Sequence, residues 1–237
     1  MEIVQGIEII DLALYIRKHD VLVITDTQLG YEESLNRKGV MIPRFQFKDI
    51  LKRLDGIFKR CKPKTVIING DIKHEFGTIT DTEWSNTLKL IDLLSKNSRL
   101  ILVKGNHDAI LEPIARKRDL EMVDHVVYDD IYFCHGHYIP DDADFKKANI
   151  VIIGHEHPAL GLRDKGRSEK FKCFLKGKFK DKILIVQPSF NLVTEGTDVT
   201  SEKLLSPFIK NVGEFEAYVV ANNIMYFGKV KEFFEKR

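Results

Sequence analysis

The sequence is poor in cysteine and has no long apolar run. Its 237 residues include three cysteines, an odd number without paired spacing, which favours a reducing compartment over a disulfide framework. No stretch of about 18 apolar residues occurs, so no membrane-spanning helix is predicted. The first residues lack the basic segment and apolar core of a signal peptide. We therefore expect a cytoplasmic protein that does not contact membranes.

Neither sign of charge dominates the chain. The formal net charge is +2, which excludes the strong overall basic field of many nucleic-acid-binding proteins. Charged residues make up 30% of the chain while glutamine is rare, and this combination favours a heat-adapted source. Composition alone thus indicates no partner, and the motifs have to be considered.

The hydrophobic pattern predicts one α/β domain that spans residues 1–237. Apolar runs of strand length alternate with stretches of helical spacing, and no repeat, low-complexity run or flexible linker divides them. The runs 7–16 and 21–25 predict a β-hairpin, and a short helix is expected near Glu202–Leu205. A chain of this length can bury one sizeable core.

Polar side chains that can bind metal or move protons follow five of the predicted strands. The tetrapeptide 105–108, Gly-Asn-His-Asp, follows the apolar run 100–103 after a single lysine. Open α/β sheets bind their ligands at the carboxyl ends of strands. The residues at the five strand ends are Asp26 with Gln28, Asp71, Asn106 with His107, His135, and His155 with His157.

A single one of these clusters has a simple structural explanation, since Gly-Asp after a strand is usually a turn. Turn chemistry does not explain all five. The set mixes carboxylates, amides and imidazoles without thiolates, which suits Mn²⁺, with Mg²⁺, Zn²⁺, Fe²⁺ and Ni²⁺ as alternatives. About seven ligands exceed the need of one ion, so we expect two ions that share a carboxylate and clamp a phosphoryl group. The sequence therefore predicts metal-assisted hydrolysis of a phosphate ester.

The ordered motifs Asp-x-(His), Gly-Asp, Gly-Asn-His-Asp, His and Gly-His-x-His, between residues 26 and 157, resemble those of the calcineurin-like metallophosphoesterases. The resemblance implies a four-layer α-β-β-α sandwich with two metals at the strand ends. It assigns metal one to Asp26, Gln28 and His157, metal two to Asn106, His135 and His155, and the bridging position to Asp71. It also implies that His107 is the general acid for the leaving oxygen, with Asp108 orienting its ring.

Two segments are similar to a nuclease-like subgroup of this family. Residues 26–33, DTQLGYEE, look like the opening motif of SbcD-related archaeal phosphoesterases and of bacterial ligase-associated phosphoesterases, and residues 187–191, QPSFN, fit the same group. Residues 70–74, GDIKH, resemble the GD-x-x-H motif of nuclease-type members. This resemblance implies that His74 contacts the substrate phosphate and that the protein acts in DNA repair. An ordinary surface-loop histidine is the alternative for His74.

Position 28 departs from the family pattern, because it holds glutamine where the family has histidine. A neutral amide oxygen is a poorer metal donor than imidazole, so we expect a weaker metal-one site that favours Mn²⁺ or Mg²⁺ over Zn²⁺. A decayed site is the alternative interpretation of Gln28.

Residues 163–182 form a basic strip with a local net charge of +6. Three phenylalanines are interleaved with the basic residues. The strip is predicted either to bind a nucleic-acid strand, with the rings stacking on bases, or to be a solvated hairpin whose rings pack inward. The basic residues are Arg163, Lys165, Arg167, Lys170, Lys172, Lys176, Lys178, Lys180 and Lys182, and the rings are Phe171, Phe174 and Phe179.

The sequence as a whole predicts a manganese-dependent phosphodiesterase of nuclease type whose substrate is nucleic acid. A small-nucleotide phosphodiesterase or phosphomonoesterase would use the same centre. A non-catalytic scaffold that kept the fold is the third alternative, and it requires that Gln28 marks a decayed metal site.

Overall fold

Two β-sheets lie face to face, and helices cover the outer face of the first sheet. A computed structural model of the chain describes residues 1–74, 80–108, 111, 115, 118–164 and 167–234. For residues 163, 164, 167 and 168 the backbone alone is described.

The first sheet has seven strands in sequence order. They are β1 (Glu2–Val4), β2 (Ile7–Ile10), β3 (Ala13–Ile16), β4 (Val21–Ile24), β5 (Thr65–Asn69), β6 (Arg99–Val103) and β7 (Glu121–Val123). Strands β1 to β4 pair in antiparallel fashion, whereas β4 to β7 are parallel. All residues of β4 and β5 are buried, which explains their continuous apolar sequences.

The second sheet has nine strands. They are β8 (Val126–Tyr128), β9 (Ile131–Phe133), β10 (Ile150–Ile153), β11 (Pro158–Asp164), β12 (Arg167–Phe179), β13 (Lys182–Val186), β14 (Thr197–Asp198), β15 (Glu216–Val220) and β16 (Ile224–Lys229). The spatial order is β14-β11-β12-β13-β10-β9-β8, with β15 paired to β12 and β16 paired to β15. Strand β10 is parallel to both of its neighbours, β9 and β13.

Four α-helices connect the strands in the described part of the chain. They are α1 (Tyr31–Arg37), α2 (Gln46–Phe58), α3 (Asp81–Ser95) and α4 (Ala143–Lys147). The side chain of Thr80 caps α3 and that of Asp142 caps α4, each by accepting a backbone N–H of the first turn. None of the helices in the described ranges is long and apolar enough to span a membrane.

Three apolar layers hold the sandwich together. Successive residues of one strand point to opposite sides, so Ile68 faces the layer under α2 and α3 while Ile67 faces the space between the sheets. On β10, Ile152 lies between the sheets and Val151 faces outward. The outermost layer is thin, because α4 and the irregular segment around Phe208 cover the second sheet there. This arrangement confirms the predicted α-β-β-α sandwich.

Two local expectations differ from the structure. The apolar run 7–16 is split into β2 and β3 at Asp11, which has a φ of 57°, although the predicted pairing with β4 is present. No helix forms at Glu202–Leu205, because side chains satisfy the backbone there. The carboxylate of Asp198 accepts the N–H of Thr200, and that of Glu156 accepts the N–H groups of Leu205 and Ser206.

Candidate metal centre

The loops that follow β4, β5, β6, β9 and β10 meet at one edge of the sandwich. Ligand atoms of Asp26, Asp71 and His135 all lie within 4.8 Å of one another. These three side chains are buried, with at most 2% of each residue exposed. Asp26 and Asp71 follow strands of the first sheet and His135 follows a strand of the second, so both sheets contribute to the centre.

His157 lies beside Asp26 on one side of this group. Its Nε2 is 3.2 Å from Oδ1 of Asp26. The other carboxylate oxygen of Asp26 accepts the backbone N–H of His155 at 3.1 Å and the hydroxyl of Thr25. Asp26 therefore fixes the loop that carries both histidines while one of its oxygens stays directed at the centre.

His135 is surrounded by the remaining predicted ligands. Its Nε2 is 2.9 Å from Oδ1 of Asn106, 3.2 Å from Nδ1 of His155 and 3.5 Å from Oδ2 of Asp71. The structure thus brings Asn106, His135, His155 and Asp71 together.

The unpaired atoms of the centre fit divalent cations. Within the described ranges, Oδ1 of Asp26, Nδ1 of His135 and Nε2 of His157 are buried without a hydrogen-bond partner. Leaving buried polar atoms unpaired costs free energy, and carboxylate oxygens and imidazole nitrogens are ligands of divalent metals. The residues present therefore fit the expected metals.

The backbone at the centre is unusual for non-glycine residues. Positive φ angles cost free energy for residues with a side chain and cluster at functional sites. Five of the predicted ligands adopt them: Asp26 (50°), Gln28 (43°), Asp71 (40°), His155 (60°) and His157 (50°).

Close packing of the loops requires glycine at two positions. A Cβ on Gly105 would collide with the carboxylate of Asp71, and a Cβ on Gly154 would collide with Thr25 and the carboxylate of Asp26. Gly105 and Gly154 therefore allow backbone to approach two of the predicted ligands directly.

His107 and His74 lie together at the edge of the centre. The ring of His107 donates from Nδ1 to the carbonyl oxygen of His74, since a carbonyl can only accept. This leaves Nε2 of His107 near Asp71, 3.7 Å from Oδ2. The two imidazole rings stack with centroids 5.9 Å apart, and Tyr31 packs its edge against His74 at 4.5 Å.

Asp108 supports the loops around His107. Its carboxylate accepts the backbone N–H groups of Ile72 and Gly105, each at 3.0 Å. The carbonyl of His74, rather than the expected Asp108, is hydrogen-bonded to the ring of His107. Burial and the nearby Asp71 raise the pKa of Asp108 to about 7.

Gln28 is buried in the loop beside Asp71. Its backbone N–H donates to the carbonyl of Asp71 at 3.0 Å, and its side-chain Oε1 accepts from Nδ2 of Asn191 at 3.3 Å. An amide oxygen has a second lone pair, so this contact is compatible with metal ligation.

The charges of the centre shift the pKa values of its members in opposite directions. Burial opposes charge on Asp26, but His157 and His135 outweigh it and lower the pKa of this carboxyl. Burial also opposes charge on His135, but Asp26 and Asp71 raise its pKa to about 9. Burial and the neighbouring His135 lower the pKa of His155 to about 4. Neutral His155 and charged carboxylates are the ligand forms that metals bind.

Two contributors to the centre were not assigned from the sequence. Thr25 donates to Asp26, and its only sequence signal is its position next to that residue. The ring of His137 lies 5.2 Å from that of His135 and 6.0 Å from that of His155. The sequence signal for His137 is the His-Gly-His pattern at residues 135–137.

The predicted basic strip is not a continuous binding surface where the structure describes it. Residues 163–168 lie outside the described side chains. Phe174 and Phe179 are buried, so they cannot stack on bases and the inward-packed alternative applies to them. Lys176 pairs with Glu216, and Lys182 donates to two backbone carbonyls.

A family model described as calcineurin-like phosphoesterase matches residues 19–213. The chain belongs to the calcineurin-like phosphoesterases. The match confirms the predicted family and supports hydrolysis of a phosphate ester as the activity of this phosphoesterase.

Solved structures are similar to this phosphoesterase at low sequence identity. The nuclease MPE of Pseudomonas putida has a TM-score of 0.65 and 20% identity, with 92% of each chain covered. Vps29 of Entamoeba histolytica, complexed with zinc, has a TM-score of 0.37 and 17% identity over 87% of this chain and 96% of that one. AQ665 of Aquifex aeolicus, a protein of unknown function, has a TM-score of 0.38 and 21% identity over 62% of this chain and 81% of that one. No curated protein matches.

Proposed function

We propose that this phosphoesterase is a metal-dependent phosphodiesterase of nuclease type, with Mn²⁺ as its preferred metal. The convergence of Asp26, Asp71 and His135 carries the proposal, because it brings ligand atoms of two carboxylates and an imidazole within 4.8 Å of one another. Two ions in such a group stabilise the attacking and the leaving oxygen of a phosphate ester.

The residues divide into two ligand sets around Asp71. Asp26, Gln28 and His157 would hold one ion, and Asn106, His135 and His155 the other, with Asp71 shared. The distances of His157 to Asp26 and of His135 to Asp71 support this division. Gln28 makes the first set the weaker one, since an amide replaces an imidazole.

His107 is the proposed general acid. The carbonyl of His74 holds Nδ1–H, so in the imidazolium form the second proton lies on Nε2, and this is the proton that the leaving oxygen receives. The carboxylate of Asp71 lies 3.7 Å from this nitrogen. His74 lies beside His107, where it can contact the same phosphate.

Nucleic acid is the proposed substrate class. His74 is the histidine of the nuclease-type motif at residues 70–74, and its ring stacks on that of the proposed acid His107. The nuclease MPE, which has the same fold over 92% of both chains, also supports nucleic acid as the substrate.

The first prediction concerns the proposed acid. We expect His107→Ala to lower kcat by about 10²- to 10⁴-fold, the usual contribution of a positioned acid, without loss of bound metal. The measurement is hydrolysis of single- and double-stranded DNA, RNA and bis-aryl phosphate in the presence of Mn²⁺. His125→Ala is the matched control. It also removes one imidazole, but His125 stacks on Tyr132 and is not among the residues assigned to the centre. If the native protein and His107→Ala are equally inert on every substrate, the proposed activity is wrong.

A further inference from the structure

One lysine of β12 lies on the Asp26 side of the metal centre. Nζ of Lys172 donates to Oγ of Ser189 at 2.6 Å, and Ser189 is fully buried. The next residue, Phe190, donates its backbone N–H to the carbonyl of Thr25 at 2.8 Å. Thr25 precedes the predicted ligand Asp26. These two hydrogen bonds therefore connect the ammonium group of Lys172 to the segment that carries Asp26.

The strand register places Lys172 near a second predicted ligand. Lys172 is opposite Ala159 in the antiparallel pair of β11 and β12, and Ala159 lies two residues after His157. Asn191, two residues after Ser189, donates to Gln28. Lys172 and the segment 187–191 therefore border the predicted metal-one ligands.

The charge of Lys172 is not neutralised by a close carboxylate. Among the described residues no acidic side chain forms an ion pair with it, whereas Lys170 pairs with Glu202 and Lys176 with Glu216 on the same strand. Burial lowers the pKa of Lys172 to about 7, and the charge of Asp26 partly opposes this effect. A partly desolvated cation without an acidic partner is costly, and an anionic ligand would remove that cost.

We propose that Lys172, held in place by Ser189, forms a phosphate subsite that binds a non-bridging oxygen of the substrate. The inference rests on the proposed phosphodiesterase function. The ammonium group has three donors and Ser189 occupies one of them. Ser189 is fully buried, so it positions the ammonium group and leaves the remaining donors of Lys172 for the phosphate. The Lys172 side chain is only partly buried, so a ligand atom can reach it.

Replacement of Lys172 by methionine tests the subsite, since methionine keeps much of the length and removes the charge. We expect Lys172→Met to raise KM by about 10- to 100-fold, the effect of losing a charged hydrogen bond, with unchanged metal content. The substrates are bis-aryl phosphate, which has only the scissile phosphate, and a single-stranded oligonucleotide. A rise with both assigns the subsite to the scissile phosphate, and a rise with the oligonucleotide alone assigns it to a flanking phosphate.

Lys178→Met is the matched control. Lys178 is exposed on the same strand, opposite Ile183, and Ile183 in turn lies opposite Ile150 at the start of β10, away from His155. We expect native KM values for this variant. A native KM for Lys172→Met on both substrates, or loss of its metal, would overturn the subsite.

Calorimetric titration of inorganic phosphate into the Mn²⁺-loaded proteins separates the two proposals. We expect Lys172→Met, and to a smaller degree Ser189→Ala, to bind phosphate more weakly than the native protein. If the native protein hydrolyses no substrate, the proposed phosphodiesterase activity is wrong. The phosphate titration would still show whether Lys172 binds phosphate. Equal phosphate binding by the native protein and Lys172→Met would refute the subsite.

Discussion

Left-handed backbone conformations set the direction of the ligand side chains at the scale of single residues. Asp and His adopt this conformation more readily than most residues, because their short polar side chains bond locally. Gln28 lacks that advantage, and its φ of 43° costs of the order of 1–3 kcal/mol. The loop retains the conformation through the hydrogen bond from Gln28 to the carbonyl of Asp71. The strained backbone at position 28 therefore supports the proposed ligand role of Gln28.

Replacement of Gln28 by histidine should therefore strengthen the metal-one site. We expect Gln28→His to raise the affinity of the weaker ion by about 10- to 100-fold, the range of changes near metal ligands, and more for Zn²⁺ than for Mn²⁺. Calorimetric metal titration at one fixed pH measures this, because a proton on His135 competes with the metal.

Gln5→His is the control for adding a histidine, since Gln5 lies in an exposed turn. Unchanged affinity and stoichiometry in Gln28→His would mean that position 28 is not a ligand position.

Close contact between loops determines the centre at the scale of secondary-structure elements. The loops after β4 and β10 are far apart in sequence, yet the N–H of His155 bonds to Asp26 across 129 residues. The polar residues at the strand ends could be predicted from local patterns. Their pairing, and the support that Asp108 gives to the backbone of Ile72, depend on how the loops pack, which no local pattern encodes.

Gly154 is one of the positions where the loops pack most tightly. A Cβ there would collide with Thr25 and Asp26, so Gly154→Ala should force the two loops apart. We expect a destabilisation of about 1–3 kcal/mol, typical of overpacking, together with loss of metal binding. Urea unfolding and metal titration measure the two effects.

Gly56→Ala is the matched control for this substitution. Gly56 is exposed within α2, and a Cβ there would meet nothing within 4 Å. Alanine should stabilise that helix by up to about 1 kcal/mol and leave metal binding unchanged. Native metal affinity in Gly154→Ala would contradict the proposed role of the loop contact.

At the scale of the whole molecule, the centre joins the two sheets. The first sheet contributes Asp26 and Asp71, and the second contributes His135 and His155. The sandwich could be predicted because the buried strands and their polar ends follow simple patterns. The thin outer layer of the second sheet could not be predicted from the sequence. The carboxylate of Glu156 accepts backbone N–H groups in the segment where a helix was expected near Glu202–Leu205.

Because the ligands come from both sheets, metal binding should stabilise the entire fold. A ligand at 100 times its Kd adds about 2.7 kcal/mol to the free energy of unfolding, which for a chain of this size is roughly 5–10 °C in Tm. We expect Mn²⁺ to raise Tm by this amount and chelation to reverse it, as measured by thermal unfolding. His107→Ala should keep the shift, since His107 is not a ligand, whereas Asp71→Asn should lose most of it. An equal shift in Asp71→Asn would show that the ion binds elsewhere and would remove the basis of the two-ion centre.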